Sequence, residues 1–368
     1  MSDDVLKNSE DTASVPLDML WVGMTVPHDI FTSDGKVKLV AEGIVLDEAT
    51  LHRLVSVYGA NASILVSKDT ELYLKRHGVA AEHITNRKEL EENTNYGEMQ
   101  KETENLLEKT RLSQEIDKEA YSEVSDGLID SIETVEERFL LDIINAIVPE
   151  DEYLQRHSTN VALLNGLFAK WLELTKDEIK NIVLIGLLHD CGKTRIPSKV
   201  LNAQRKLSDV EFEVIKMHPL HSYNLLSNFP EEIRLGARGH HEKINGYGYP
   251  DGLKDEKIPV SAKIGSIIDI YDAMVSQRVY KPARSPFAVL TEMLKLKNHT
   301  LDAKLVDLFV NKLPEEFINK PVVMSDNTVG LVKSIDLNNL EYPKVIIKNK
   351  LIQTDVNLFV KHMYIEEE

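Results

Sequence analysis

The chain has 368 residues, 42% of them hydrophobic, with a formal net charge of −17 and one cysteine, Cys191. That length suits two or three domains of ordinary size. The acidic balance excludes a surface for bulk nucleic acid, and one cysteine excludes an intrachain disulfide. No run of about 18 apolar residues promises a membrane span. The opening MSDDVLKNSEDTASVP lacks the basic and apolar parts of a secretion signal. The chain is therefore expected to stay in the cytoplasm.

Residues 1–15 are polar and acidic and read as a disordered tail. From 16 to 80 the runs LWVGMTVPHDIF, KVKLVAEGIVL and ASILVSK are β-branched and separated by turn residues, with DEATLHRLVSVYG as a helix capped by Asp47. This is a small α+β domain with no catalytic constellation. Residues 81–135 form an acidic helical linker. Between Ala81 and Arg138 there are 17 Asp/Glu against 7 Lys/Arg, a net of −10. Leu106, Leu107, Leu112, Ile116, Val124, Leu128 and Ile132 give it a narrow apolar stripe, which suits either a solvated spacer or a homodimer seam.

Residues 136–320 are strongly helical. Capping-box patterns TKDE (175–178) and SDVE (208–211) start the helices IKNIVLIGLLHD and FEVIKMHPLHSYNLL. Pro286 after Ser285 marks a first helical position. After Lys320 the runs PVVMSD, TVGLVKSID, YPKVIIKN and VNLFVKHMYI alternate as strands of a small antiparallel sheet spanning 321–368. The expected fold class is mainly α, a helical bundle between a small α+β domain and a short C-terminal β extension.

Six of the 12 histidines lie between 157 and 241. In NIVLIGLLHD an imidazole and a carboxylate, His189 and Asp190, end an apolar helix. Burying both is costly without strong partners, and a metal supplies one. Imidazole with carboxylate suits first-row metals such as Fe, Mn, Ni or Zn. A bridging Asp190 would centre a two-metal site of the kind that activates water and clamps a phosphoryl group. Cys191 beside this pair reads as a small buried residue rather than a ligand. The stretch GHHEKINGYGYPDGL (239–253) pairs two histidines with a glycine-rich loop; Gly246, Gly248 and Gly252 permit unusual backbone angles and close approach to a ligand.

HDCGK (189–193), HHEKINGYGYPDGL (240–253) and IGSIIDIYDAMVSQRVYK (264–281), in that order, resemble the HD-GYP family of the HD metal-dependent phosphohydrolase superfamily over about residues 136–320. The resemblance implies a helical HD-superfamily bundle. It also implies a phosphodiesterase that hydrolyses cyclic di-GMP to linear pGpG, and onward to GMP, by attack of a metal-bridging hydroxide. It assigns His157, His189, Asp190, His218, His240, His241 and Asp269 as ligands of two divalent transition metals, Fe first, with Asp190 bridging.

Lys193, three residues after the bridge, would hold a phosphate oxygen and stabilise transition-state charge. In the family the position of Tyr249 lines the substrate pocket; a packed structural tyrosine is the other reading. The positions of Arg278 and Lys281 carry cations for the second phosphate and guanine. Asp272 is expected to orient a ligand rather than bind metal, and His221 to stand outside the ligand set. Tyr153 stands where some members have a glutamate and a third metal. Asn245 and Asp255 replace a frequent Asp and Gly. An HD phosphohydrolase of another cyclic dinucleotide or nucleotide, and a non-catalytic cyclic dinucleotide receptor signalling to protein partners, are the alternatives.

Overall fold

The computed structural model describes residues 12–16, 26, 28–32, 36–41, 44, 46, 48–59, 62–67, 94–145, 150–203, 205–276, 284–348 and 350–364. The chain divides into two compact units, Met1–Lys88 with Ile318–Glu368, and Glu89–Phe317. None of the described helices is long and apolar enough to cross a membrane.

The N-terminal part of the first unit contains β1 (Thr12–Pro16), β2 (Ile30–Phe31), β3 (Lys38–Val40), α1 (Glu48–Tyr58) and β4 (Ser63–Ser67). β1 runs antiparallel to β4 and β2 to β3. Val26, Val40, Leu46, Leu51, Leu54 and Ile64 make the core between them. Residues 12–15, expected in the tail, thus enter a strand because β4 offers them an antiparallel partner. The cap expected at Asp47 lies outside the described residues.

At the other end of the chain, β5 (Pro321–Met324), β6 (Val329–Ser334), β7 (Lys344–Ile347), β8 (Lys350–Gln353) and β9 (Val360–Met363) form an antiparallel sheet of order β8-β7-β6-β5-β9. Four of these strands follow the alternating runs. The fifth, β8, is mostly exposed, so its sequence KLIQ carries no apolar alternation.

The second unit is helical. It opens with α2 (Tyr96–Ser113) and α3 (Lys118–Thr134), the latter started by the Asp117 carboxylate accepting from the Ala120 N–H. Then come α4 (Glu137–Asn145), α5 (Glu150–Trp171) and α6 (Lys176–Leu188). The stripe expected to be a spacer or dimer seam is instead consumed inside this unit. Leu106, Val124, Leu128 and Ile132 are buried as α2 and α3 pack on α5 and α6. Only Leu112 of the stripe stays strongly exposed.

α6 begins at a complete capping box, Thr175 with Glu178, an arrangement whose N-cap is worth about 1 kcal/mol. Its last seven residues, Ile182 to Leu188, are all buried, which drives the end of the helix into the bundle. A second capping box, Ser208 with Glu211, starts α8 (Asp209–Ile215), after the short α7 (Ser198–Leu201). The sequence here reads as one helix, but the chain breaks at Lys216–Met217 and restarts as α9 (His218–Leu225). Pro219 belongs in a first turn, where its missing N–H costs nothing, so the restart puts His218 at a helix entrance. α10 (Glu231–Gly239), α11 (Val260–Val275), α12 (Pro286–Leu296), with Ser285 as N-cap, and α13 (Ala303–Lys312) complete the unit.

Candidate metal centre

The helix ends aim the histidines inward. His189 is the C-cap of α6, His218 opens α9, and His240 is the C-cap of α10, followed by His241. His157 and Asp269 project from within α5 and α11. These residues and Asp190 meet in one place, and all but Asp269 fall into two groups, His157–His189–Asp190 and His218–His240–His241; within each group the candidate ligand atoms lie within 4.8 Å of one another. Asp190 faces both groups. Its Oδ2 is 3.6 Å from His157 Nε2 and 3.4 Å from His189 Nε2. Its Oδ1 is 3.2 Å from His218 Nε2 and 3.8 Å from His240 Nε2. Asp269 reaches across, with Oδ1 3.3 Å from His157 Nε2 and Oδ2 3.9 Å from His241 Nδ1.

The tautomers follow from the partners. His189, His218 and His240 each put Nδ1 2.7 Å from the carbonyl three residues back, of Gly186, Ile215 and Ala237. A carbonyl only accepts, so each Nδ1 carries a proton and each ring turns its other nitrogen, Nε2, inward. His157 is anchored by another route, placing Nδ1 2.7 Å from Asp272 Oδ2. Asp272 is wholly buried and its Oδ1 also accepts from the Asn160 amide at 3.0 Å.

This donor set suits cations. His218 and His240 bring Nε2 atoms to 3.3 Å of each other, and the buried Asp190 Oδ1 beside them has no hydrogen-bond partner. Burial and the neighbouring histidines hold the His240 ring well below its usual range, so it is neutral. Two lone pairs and an unpaired carboxylate oxygen at that spacing repel unless a positive charge sits between them. In the other group, burial opposes charge on His157, but hydrogen bonds to Asp269 and Asp272 outweigh it and push the ring up to about 9. A proton there occupies the position a metal would take, as expected where metal and proton compete for one nitrogen. Burial alone would raise Asp190, yet the Lys193 ammonium beside it holds it well below the usual carboxylate range. The set is nitrogen and oxygen throughout, the donor chemistry of Fe, Mn, Ni or Zn.

Lys193 lies in the 3₁₀ turn Cys191–Arg195 and forms an ion pair with Asp190 Oδ2. Cys191 is buried, and burial pushes its thiol up to about 12; such a thiol is inert. Tyr249 lies over His241, ring centroids 4.7 Å apart, half-buried at the edge of the centre. His221 joins neither histidine group. Arg278 and Lys281 lie outside the described residues, as does the side chain of Tyr153. Asn245 accepts from the Tyr247 N–H, and Asp255 pairs with Lys263, so both departures from the family pattern serve as loop anchors.

Two supports have no obvious mark in the sequence. Ser222 Oγ donates to the His189 carbonyl at 2.7 Å and accepts from the Gly192 N–H at 2.9 Å, tying the turn that holds Asp190 to α9. It lies four residues after His218, one helical turn on, which is the available clue. Glu242, directly after the paired histidines, is 3% exposed. Its two oxygens accept from the N–H groups of Asp251 and Leu253 at 2.7 and 2.8 Å.

Those bonds close the glycine loop, in which Gly246 and Gly252 adopt positive φ and a Cβ on Gly248 would meet backbone at 2.4 Å. Glu242→Gln swaps one acceptor for a donor facing an N–H. Hydrogen bonds to a charged group contribute about 1.5–3 kcal/mol, so amide exchange at Asp251 or Leu253 is expected to quicken by about tenfold or more. Hydrogen–deuterium exchange of this loop reads it directly.

Residues 143–305 match the family described as an HD domain. The helical unit thus contains an HD domain over those residues. Among characterised proteins the chain is 35% identical over 217 residues to a cyclic di-GMP phosphodiesterase response regulator of Xanthomonas campestris pv. campestris, covering 57% of each chain. It is 30% identical over 243 residues to a cyclic di-GMP phosphodiesterase of Pseudomonas aeruginosa, covering 65% of this chain and 58% of that one. It is also 29% identical over 195 residues to a 3′3′-cGAMP-specific phosphodiesterase of Vibrio cholerae, covering 52% of this chain and 37% of that one. The chain thus spans less than two thirds of the length of these relatives.

Proposed function

We propose that this protein is a metal-dependent phosphodiesterase that hydrolyses cyclic di-GMP. The observation that carries the reading is Asp190, whose two oxygens face separate groups of largely buried histidines. Two divalent cations would fit these donors, one held by His157, His189 and Asp269 and the other by His218, His240 and His241, with Asp190 reaching toward both. Iron is the first candidate, with manganese, nickel and zinc suited to the same donors. The chemistry such a pair supplies when bound is acidification of water and neutralisation of phosphoryl oxygens.

The chain's own residues do the rest. Asp272 and the three helix-end carbonyls hold the rings with Nε2 inward. Lys193, partly exposed beside Asp190, meets a non-bridging phosphate oxygen and stabilises the charge that grows there. Tyr249 offers a ring face to the dinucleotide, and Arg278 and Lys281 are assigned to its second phosphate and guanine. In the reaction water oxygen joins phosphorus, the bond from phosphorus to the 3′-oxygen breaks, and that oxygen leaves with a proton. Linear pGpG results, and the same step on its remaining diester gives GMP.

A second reading, another cyclic dinucleotide as substrate, is favoured by the match to a 3′3′-cGAMP-specific enzyme. Anaerobically purified protein, loaded with Fe(II) or Mn(II), is to be assayed with cyclic di-GMP and 3′3′-cGAMP side by side. Turnover of cyclic di-GMP at the higher kcat/KM is expected. Turnover of 3′3′-cGAMP alone establishes the second reading, and turnover of neither overturns both.

A further inference from the structure

Asp272 is the end of a longer chain of buried hydrogen bonds. Its Oδ1 accepts from Asn160 Nδ2, and Asn160 Oδ1 accepts from the Tyr96 hydroxyl at 2.5 Å. The Tyr96 hydroxyl oxygen in turn accepts from Arg156 Nε at 3.2 Å. Arg156 also donates from Nη2 to the Ile143 carbonyl at 3.1 Å, and its guanidinium lies 5.2 Å from the centroid of the Tyr96 ring. Arg156 and Tyr96 are each 1% exposed.

The direction of every bond in this chain is settled by its far end. A guanidinium has donors only and stays charged. The tyrosine oxygen therefore accepts from Arg156, and its single proton goes to Asn160. That pins the Asn160 carbonyl toward Tyr96 and its amide N–H toward Asp272. Asp272, with one oxygen occupied in this way, presents the other to His157 Nδ1–H. The His157 ring is thereby held in the tautomer that turns Nε2 toward Asp190, Asp269 and His189. The other rings in the centre with Nδ1 anchored take that anchor from a main-chain carbonyl three residues back. His157 takes it from a relay that starts at the first residue of α2, 61 positions earlier in sequence.

We propose that Tyr96 is a positioning residue for the metal centre, acting through Asn160 and Asp272 on His157. This rests on His157 being a metal ligand, as argued above. Outer-shell partners of metal-binding histidines typically change affinity by about 10- to 100-fold; Tyr96, further out, belongs at the lower end. In Tyr96→Phe the Mn(II) dissociation constant, measured by electron paramagnetic resonance titration, is expected to rise by about tenfold. Turnover at saturating Mn(II) should recover to within about threefold of wild type, since the loss lies in holding the ligand.

Tyr271→Phe is the control, because its hydroxyl also donates to a buried asparagine, Asn145 at 2.8 Å, outside the relay; its Mn(II) affinity should match wild type. Equal weakening in both variants, or no change in Tyr96→Phe while His157→Ala loses Mn(II), overturns the inference. Unchanged Mn(II) affinity in His157→Ala overturns the metal-site reading itself. Asn160→Ala, which cuts the relay one bond closer to Asp272, carries the same expectation as Tyr96→Phe and serves if that variant does not fold.

Discussion

Asp190→Asn is expected to remove cyclic di-GMP turnover by well over the ~100-fold that a lost outer-shell partner costs. The carboxylate stands between the two histidine groups and touches members of both. Asparagine has a similar shape but one neutral oxygen and one N–H₂, so it cannot present an anionic oxygen to each side. Loss of metal accompanies loss of turnover. For the wild-type protein, metal at about 1,000 times its dissociation constant stabilises the fold by about 4 kcal/mol. Adding Mn(II) should therefore raise the thermal midpoint of the wild-type protein and leave that of Asp190→Asn almost unmoved. Turnover assays, elemental analysis and paired melts with and without metal check this. A variant that keeps its metal and its rate would show that Asp190 is not the bridge.

Gly192→Ala should be the most damaging single methyl group in the helical unit. A Cβ at Gly192 would lie 2.1 Å from the His218 carbonyl oxygen and 2.4 Å from the Ser222 N. Both are backbone atoms of α9 and cannot rotate away. Overpacking usually costs about 1–3 kcal/mol, and a clash with main chain belongs at or above the upper figure. Relief requires α9 to shift, which pulls His218 away from Asp190 and breaks the Ser222 link to the His189 carbonyl. Chemical denaturation should show a loss of about 3 kcal/mol or more, with weakened Mn(II) binding in the protein that still folds. Near-wild-type stability would mean that the turn relaxes without disturbing α9.

Much of this architecture was legible from local pattern. Both capping boxes, the Ser285–Pro286 helix start, the long helical middle and four of the five C-terminal strands follow signals a few residues wide. His157, His189, His218, His240, His241 and Asp269 lie around Asp190 or one another, and their short motifs are visible in the sequence, whereas Arg278 and Lys281 fall outside the described residues. The remainder depended on partners distant in sequence. The thin apolar stripe of the acidic stretch suited a spacer or a dimer seam, yet a thin stripe suffices when α5 and α6 cover Leu106, Val124, Leu128 and Ile132. Strand β8 is an exposed edge and leaves no alternation. Asn160 sits three residues after His157, on the same helix face, and could have been suspected. Tyr96 could not, because nothing near it says that its hydroxyl ends 64 positions away.

The carbonyls of Gly186, Ile215 and Ala237 that fix three of the rings belong to the main chain. Any amino acid at those positions supplies the same oxygen, so ordinary substitution cannot delete it. Three imidazoles are therefore pre-aimed by local main chain, His189 and His240 by the ends of their own helices and His218 by the last residue of α8 just before it. Mutational fragility should concentrate instead around His157, whose aim is borrowed from side chains. Packing still limits two of the three carbonyl positions, since a Cβ on Gly186 would lie 2.4 Å from Ala162 Cα and Ala237 is fully buried; drift among descendants of this chain is expected to touch residue 215 more freely, while Asp272 and Asn160 change only together or not at all.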